Sequence, residues 1–122
     1  LRGVAQRPGK PFWFGVSSRK TPVFALPGNP VSTYICLHRY VLPALARMAG
    51  APAPKPDYLA LGSATTFKAP LAWMLPVVVS AAPDGRRIGE PAPFNTSGDF
   101  AGLIGTDGFV ELPPGPRDFP AG

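Results

Sequence analysis

Arg7 and Lys10 flank the dipeptide Pro8-Gly9. Two cations on so rigid a turn can grip two oxygens of one anion. A second chemistry-bearing stretch is Leu26-Pro27-Gly28-Asn29-Pro30-Val31-Ser32. Gly28 suits a backbone conformation closed to other residues. Asn29 suits an N-cap, and Pro30 suits the first helical position, where no amide is needed. The pattern predicts a strand, a tight loop and a helix whose first amides point outward at its positive end, a ready place for an oxyanion. Ser32 adds a hydroxyl to that first turn. Read locally, the loop is either a well-made helix start or an anion site, and the residues alone leave both open.

Other chemistries fare worse. Ser32 has no partner in sequence context that would make it a nucleophile, because His38 falls on a different face of the same helix. Cys36 reads as core packing and His38 as a surface or interface residue. A hard cation needs oxygen ligands. Residues 1–50 contain no Asp or Glu, and the seven carboxylates beyond are scattered with no useful spacing. Oxyanion binding is the chemistry these residues favour.

The elements that must place them follow from pattern. Pro8-Gly9-Lys10-Pro11 is a turn signal. Residues 12–16 read as an aromatic strand, 17–21 as a polar connection, and 22–26 as a second, buried strand. Val31, Tyr34, Ile35, Leu37, Tyr40, Val41 and Leu42 share a broad helical face. Pro43 should kink or restart that helix, and Gly50 suits its C-terminal stop. Residues 51–56 (Ala-Pro-Ala-Pro-Lys-Pro) read as a semi-rigid linker. Beyond it a small β domain is predicted, with strands at 58–61, 71–80, 87–91 and 109–112. Asp84-Gly85 is its hairpin turn. Pro70 and Pro76 argue that the long strand is an edge or carries a bulge. Ser97-Gly98-Asp99 could cap a short helical turn running to Leu103.

Bulk properties agree with this division. The net charge of +5 is the sum of +7 in residues 1–50 and −2 in residues 51–122. A basic surface beside the helix-start loop suits nucleotides, other phosphates or an oxyanion. Nucleic acid is a weaker partner, since no stacking platform interleaves the basic residues. The 18 prolines and 14 glycines favour short strands and turns over long helices. No apolar run approaches the ~18 residues of a membrane span. A single cysteine allows no internal disulfide, which with the absence of a signal pattern points to a cytoplasmic protein.

The order of these motifs resembles a known family. Ala5-Gln6-Arg7-Pro8-Gly9-Lys10-Pro11, an aromatic strand ending in Gly15, and Val23 to Ser32 are similar to the molybdopterin molybdenumtransferases, the MoeA family that includes the gephyrin E-domain. The breaks at Pro43 and Gly50 fit, as do Ser97-Gly98-Asp99-Phe100, Ala101-Gly102-Leu103 and the run Asp107 to Pro113. The resemblance covers nearly the whole chain and implies that it is a C-terminal third. It implies an α/β plus β fold. Residues 1–50 would end a molybdopterin-binding α/β domain, and 57–122 would form a small β-barrel-like domain lacking its last strand, with an open edge.

It also implies a function. Family enzymes take adenylylated molybdopterin and molybdate, release AMP with Mg²⁺, and leave molybdenum cofactor. Arg7, Lys10, Pro27, Gly28, Asn29, Pro30 and Ser32 would bound the pocket and hold molybdate or substrate phosphates, with Ser97 a contact from the second domain. The Mg²⁺ ligands would lie upstream, the fragment alone would be inactive, and the parent would be a homodimer. There are departures. Arg7 stands where Lys is common, Gly3 where a further lysine is often found, and no Arg occurs in Ala72-Trp73-Met74-Leu75. The alternative is a non-catalytic scaffold or dimerisation module of the same architecture, or an anion-binding one.

Overall fold

Aromatic and β-branched residues on both sides of a polar turn pair as a hairpin because their rings meet across it. In the computed structural model, which describes residues 1–52, 55, 57–93, 100–115 and 118–122, β1 is the short strand Gln6–Arg7, β2 is Trp13–Val16 and β3 is Pro22–Ala25. β2 and β3 are antiparallel, with Phe14 opposite Phe24 and their ring centroids 5.0 Å apart. The turn closes through Ser17 N–H to Thr21 O at 2.9 Å, and Ser17 Oγ accepts from Thr21 N at 3.1 Å. β3 is not the buried strand that its apolar residues suggest. Phe24 faces inward while Val23 and Ala25 are exposed.

The helix forms as its capping residues dictate. α1 (Pro30–Cys36) has Asn29 as N-cap in extended conformation, its side chain accepting from Ser32 N, and Pro30 in the first turn. A wider π-helical turn, Leu37–Val41, follows, and α2 (Leu42–Met48) takes Pro43 into its own first turn. Pro43 thus restarts the α-helix without ending the rod. At the far end Gly50 N–H bonds Arg47 O and Ala51 N–H bonds Ala46 O, with Gly50 at φ +80°. That is the Schellman closure, which requires a left-handed residue at this position. Phe12, Val31, Ile35 and Cys36 form the buried interior of this part. Phe12 joins hairpin to helix by stacking on Tyr40 at 4.7 Å and meeting Phe24 at 6.3 Å.

The chain divides into two compact units, Leu1–Lys55 and Pro56–Gly122. Positions 53, 54 and 56 of the linker and the Ser97-Gly98-Asp99 cap lie outside the described residues. The second unit is a small β domain. Its strands are β4 (Ala60–Leu61), β5 (Thr65–Thr66), β6 (Ala72–Ala81), β7 (Arg87–Pro91), β8 (Gly108–Leu112) and β9 (Asp118–Phe119). β8, β6, β7 and β4 pair in that order, antiparallel except for β7 with β4. Leu75, Val77, Leu112 and Phe119 form its core, with Leu59, Leu61, Phe67, Trp73, Val79 and Val110 around them. The β6–β7 hairpin turns through Asp84-Gly85, and Ala101–Leu103 makes a 3₁₀ turn.

Two expectations change here, and one pairing is new. Tyr58 and Leu59 precede the paired residues of β4, and Tyr58 is 82% exposed. β6 is neither an edge strand nor bulged, because it pairs continuously with β8 over 73–77 and with β7 over 77–81. Pro76 is tolerated for a local reason. Its carbonyl accepts from Ala92 N at 2.9 Å, so its missing amide faces the same side, one step past the last β7 pair, Val77 with Pro91. Finally, Thr65–Thr66 pairs with Asp118–Phe119, a contact between distant short segments that no strand pattern announced.

Candidate functional site

The Arg7–Lys10 turn is closed by its own backbone. Val4 N–H bonds Lys10 O at 3.0 Å and Phe12 N–H bonds Gly9 O at 3.3 Å. The Arg7–Pro8 peptide is cis. Arg7 and Lys10 are both exposed, while Pro8 and Gly9 between them are buried against the helix. The contact is made by Gln6, which is only 2% exposed. Its Nε2 donates to Pro8 O at 2.9 Å and lies 3.9 Å from Cys36 Sγ, and Tyr40 donates its hydroxyl to Gln6 Oε1. Cys36 Sγ sits 3.6 Å from Gly9 O. Gly9 has φ +103°, and a Cβ on it would fall 2.5 Å from Gln6 Nε2 and 2.9 Å from Cys36 Sγ. Only glycine fits there on both counts.

The second stretch enters the same helix at its start. Pro27 is buried, Asn29 half-buried, and Gly28 and Pro30 exposed. Thr33 fixes the loop from inside, its hydroxyl donating to Pro27 O and lying 3.0 Å from Asn29 O. Asn29 Oδ1 accepts from Ser32 N at 3.4 Å, and Asn29 O from Thr33 N at 2.9 Å. Some helix-start amides are thereby used internally, fewer being left for an anion than a bare helix end would offer. Ser32 is buried at 4% exposure. Gly28 departs from expectation: its φ lies outside the left-handed region, and a Cβ there would meet nothing within 4 Å among the described residues. Its backbone does not demand glycine.

Both stretches are thus anchored on one helix, the Pro-Gly-Asn-Pro loop at its first turn and the Arg7–Lys10 turn farther along, at Cys36 and Tyr40. Residues 1–50 hold seven basic residues and no acidic one, so no carboxylate of this segment opposes an anion at either stretch. Burial pushes the Cys36 thiol up to about 11, which suits a packing residue and not a nucleophile. His38 is exposed and lies against Tyr34 at 4.4 Å. Among the described residues no group of three or more His, Cys, Asp or Glu comes together, so those present do not fit a Mg²⁺ site. An open, mostly apolar groove of about 360 Å³ lies at the other end of the helix, lined by Phe14, Pro22, Phe24, Ala44, Arg47 and Met48. Gln6, Thr33 and Tyr40 were not legible as site-forming residues. Gln6 and Tyr40 meet across 34 residues, Thr33 reaches back to the loop before its helix, and a lone Gln beside a basic turn carries no periodic signal.

Residues 1–47 match the family described as a probable molybdopterin binding domain, and residues 58–122 match the MoeA C-terminal region, domain IV. A molybdopterin molybdenumtransferase of Synechocystis sp. is 44% identical over all of this chain and 29% of its own length. One from Staphylococcus epidermidis is 30% identical over 98% of this chain and 28% of its own. The crystal structure of a MoeA protein from Pyrococcus horikoshii OT3 has the same fold, with TM-score 0.76 at 23% identity, covering 100% of this chain and 30% of that one. The chain belongs to the MoeA family of molybdenum cofactor biosynthesis. It spans less than a third of the length of these relatives.

Proposed function

We propose that this chain supplies the anion-gripping part of a molybdopterin molybdenumtransferase, in which molybdate is inserted into adenylylated molybdopterin with release of AMP. The carrying observation is the anchoring of an exposed Arg7/Lys10 pair and the Pro27–Pro30 loop on one helix, in a segment without a single carboxylate. Arg7 offers a planar, bidentate donor set and Lys10 a compact charge, a combination suited to phosphate or molybdate oxygens. Gly28, free of any backbone demand, lets an approaching oxyanion come close to the chain. Ser32 contributes less than its position promised, since it is buried.

On this reading Mg²⁺ is held by parts of the longer protein that these residues do not include, and the isolated chain has no turnover. The parent is a cytoplasmic homodimer. In the parent-length protein, AMP release from adenylylated molybdopterin plus molybdate is followed by chromatography. The double variant Arg7→Ala, Lys10→Ala is expected to lose about a hundredfold or more in turnover, the scale of a lost electrostatic clamp. Wild-type turnover in that variant refutes the assigned roles.

A further inference from the structure

We propose that Gln6 is a positioning residue: its side-chain amide fixes the turn that carries Arg7 and Lys10 at a set distance from the helix. The inference rests on the anion-site reading above and deepens it.

A buried amide is costly unless both its ends are bonded, and a leucine of similar size would pack the same space without that liability. Gln6 is almost fully buried and uses both ends, each on a different element. Its NH₂ group holds Pro8 O, in the middle of the basic turn. Its carbonyl takes the hydroxyl of Tyr40, on the π-helical turn. Because the Pro8 carbonyl can only accept, the amide faces one way, with its nitrogen toward Pro8 and its oxygen left to the Tyr40 hydroxyl. Tyr40 is in turn held by its stack on Phe12 at 4.7 Å. Gly9 provides the room, since a Cβ there would strike the same amide. The result is a chain of directional contacts from Phe12, through the helix, to the Pro8 carbonyl between Arg7 and Lys10. A hydrophobic residue could fill the volume but could not fix that carbonyl, and small misplacements of gripping groups are expensive in binding.

Position 6 can be tested by a variant that makes the contact depend on pH. In Gln6→Glu a neutral carboxyl keeps both roles, donating to Pro8 O and accepting from Tyr40. The ionised form cannot donate and faces the Pro8 carbonyl with like charge. Among the described residues the titratable side chains in contact with this position are Cys36, which stays a thiol throughout the range, and Tyr40, whose ring has the Arg39 guanidinium 5.6 Å from its centre. The 122-residue chain is titrated with AMP, following the Gly9 and Lys10 amides by NMR, and each variant is compared with wild type at the same pH. Relative AMP affinity of Gln6→Glu should match wild type near about pH 5 and fall about tenfold near about pH 8, as a buried carboxyl ionises. Gln6→Leu should lose about tenfold at both values, and exchange at the Phe12 amide, bonded to Gly9 O, should quicken. Equal affinities in all three proteins, or an equal loss in Gln6→Glu at both pH values, overturn the positioning role. The double variant Arg7→Ala, Lys10→Ala separates the two readings. If it loses AMP while the Gln6 variants bind as wild type, only the role of Gln6 fails. If it binds AMP as wild type, or if the wild-type chain does not bind, the anion site itself fails and the proposal with it.

Discussion

Replacing Gly9 with alanine should damage this protein more than its size suggests. At φ +103° a side-chain-bearing residue incurs about 1–3 kcal/mol of backbone strain. The new methyl would sit 2.5 Å from Gln6 Nε2 and 2.9 Å from Cys36 Sγ, both too close to keep. Cys36 is fully buried on the helix and has little room to retreat. The Gln6 amide must therefore leave Pro8 O, and each buried polar group left unpaired costs about 1–3 kcal/mol. Together the expected loss is about 3 kcal/mol, a sizeable share of the 5–15 kcal/mol typical of a domain. Urea unfolding monitored by Trp13 fluorescence, with Trp73→Phe as background, measures it in the first unit. Gly28→Ala is the matched control, because its Cβ meets nothing and its φ is unexceptional. It should change stability by less than about 0.5 kcal/mol. Equal costs at the two glycines, or a Gly9→Ala cost below about 0.5 kcal/mol, would show the clash argument to be wrong.

Further outcomes are expected elsewhere. Asn29→Ala removes the acceptor for Ser32 N and should cost about 1 kcal/mol in the same unfolding assay. Cys36 should resist iodoacetamide at neutral pH in the native chain and react once urea is added. Because its thiol is raised from 9.0 to about 11, its contribution to stability is complete below 9.0 and declines as pH rises toward about 11. An alkaline unfolding curve indifferent to Cys36→Ala across that range counts against this. Asp107 extends the β8 side of β6 by accepting from Val79 N at 2.7 Å. Asp107→Ala should cost about 1 kcal/mol and accelerate exchange at the Val79 amide, and unchanged exchange there excludes the contact.

What could be read in advance was what is local. Asn29, Pro30 and Gly50 act within a turn of their own position, so their types announce a helix with its start and stop. The Asp84-Gly85 hairpin is local in the same way. Pro76 misled because a rule about missing amides was applied without knowing where pairing on that side ends; one residue past Val77–Pro91, the missing donor costs little. Gly28 misled for the opposite reason. Its neighbourhood looks like a demanding loop, yet Thr33, Asn29 and two prolines already fix the path. The candidate cations were visible from their spacing around Pro8-Gly9. What holds them was not, because Gln6 meets Cys36 and Tyr40 at separations of 30 and 34 residues.

The wide turn at Leu37–Val41 bears on how this chain is aligned with others. A π-helical turn carries one residue more than the α-helical turn it replaces, and Leu42 N–H here reaches back five residues to Leu37 O. A homologue with an unbroken α-helix would need a one-residue gap within this turn for its later positions to superpose. Alignments that forbid gaps inside helices would shift Ala44, Arg47 and Met48 by one place, about a quarter-turn around the axis. Equivalences drawn across positions 37–41 therefore need structural superposition, whereas those for Arg7 through Ser32 lie before the insertion and are untouched by it.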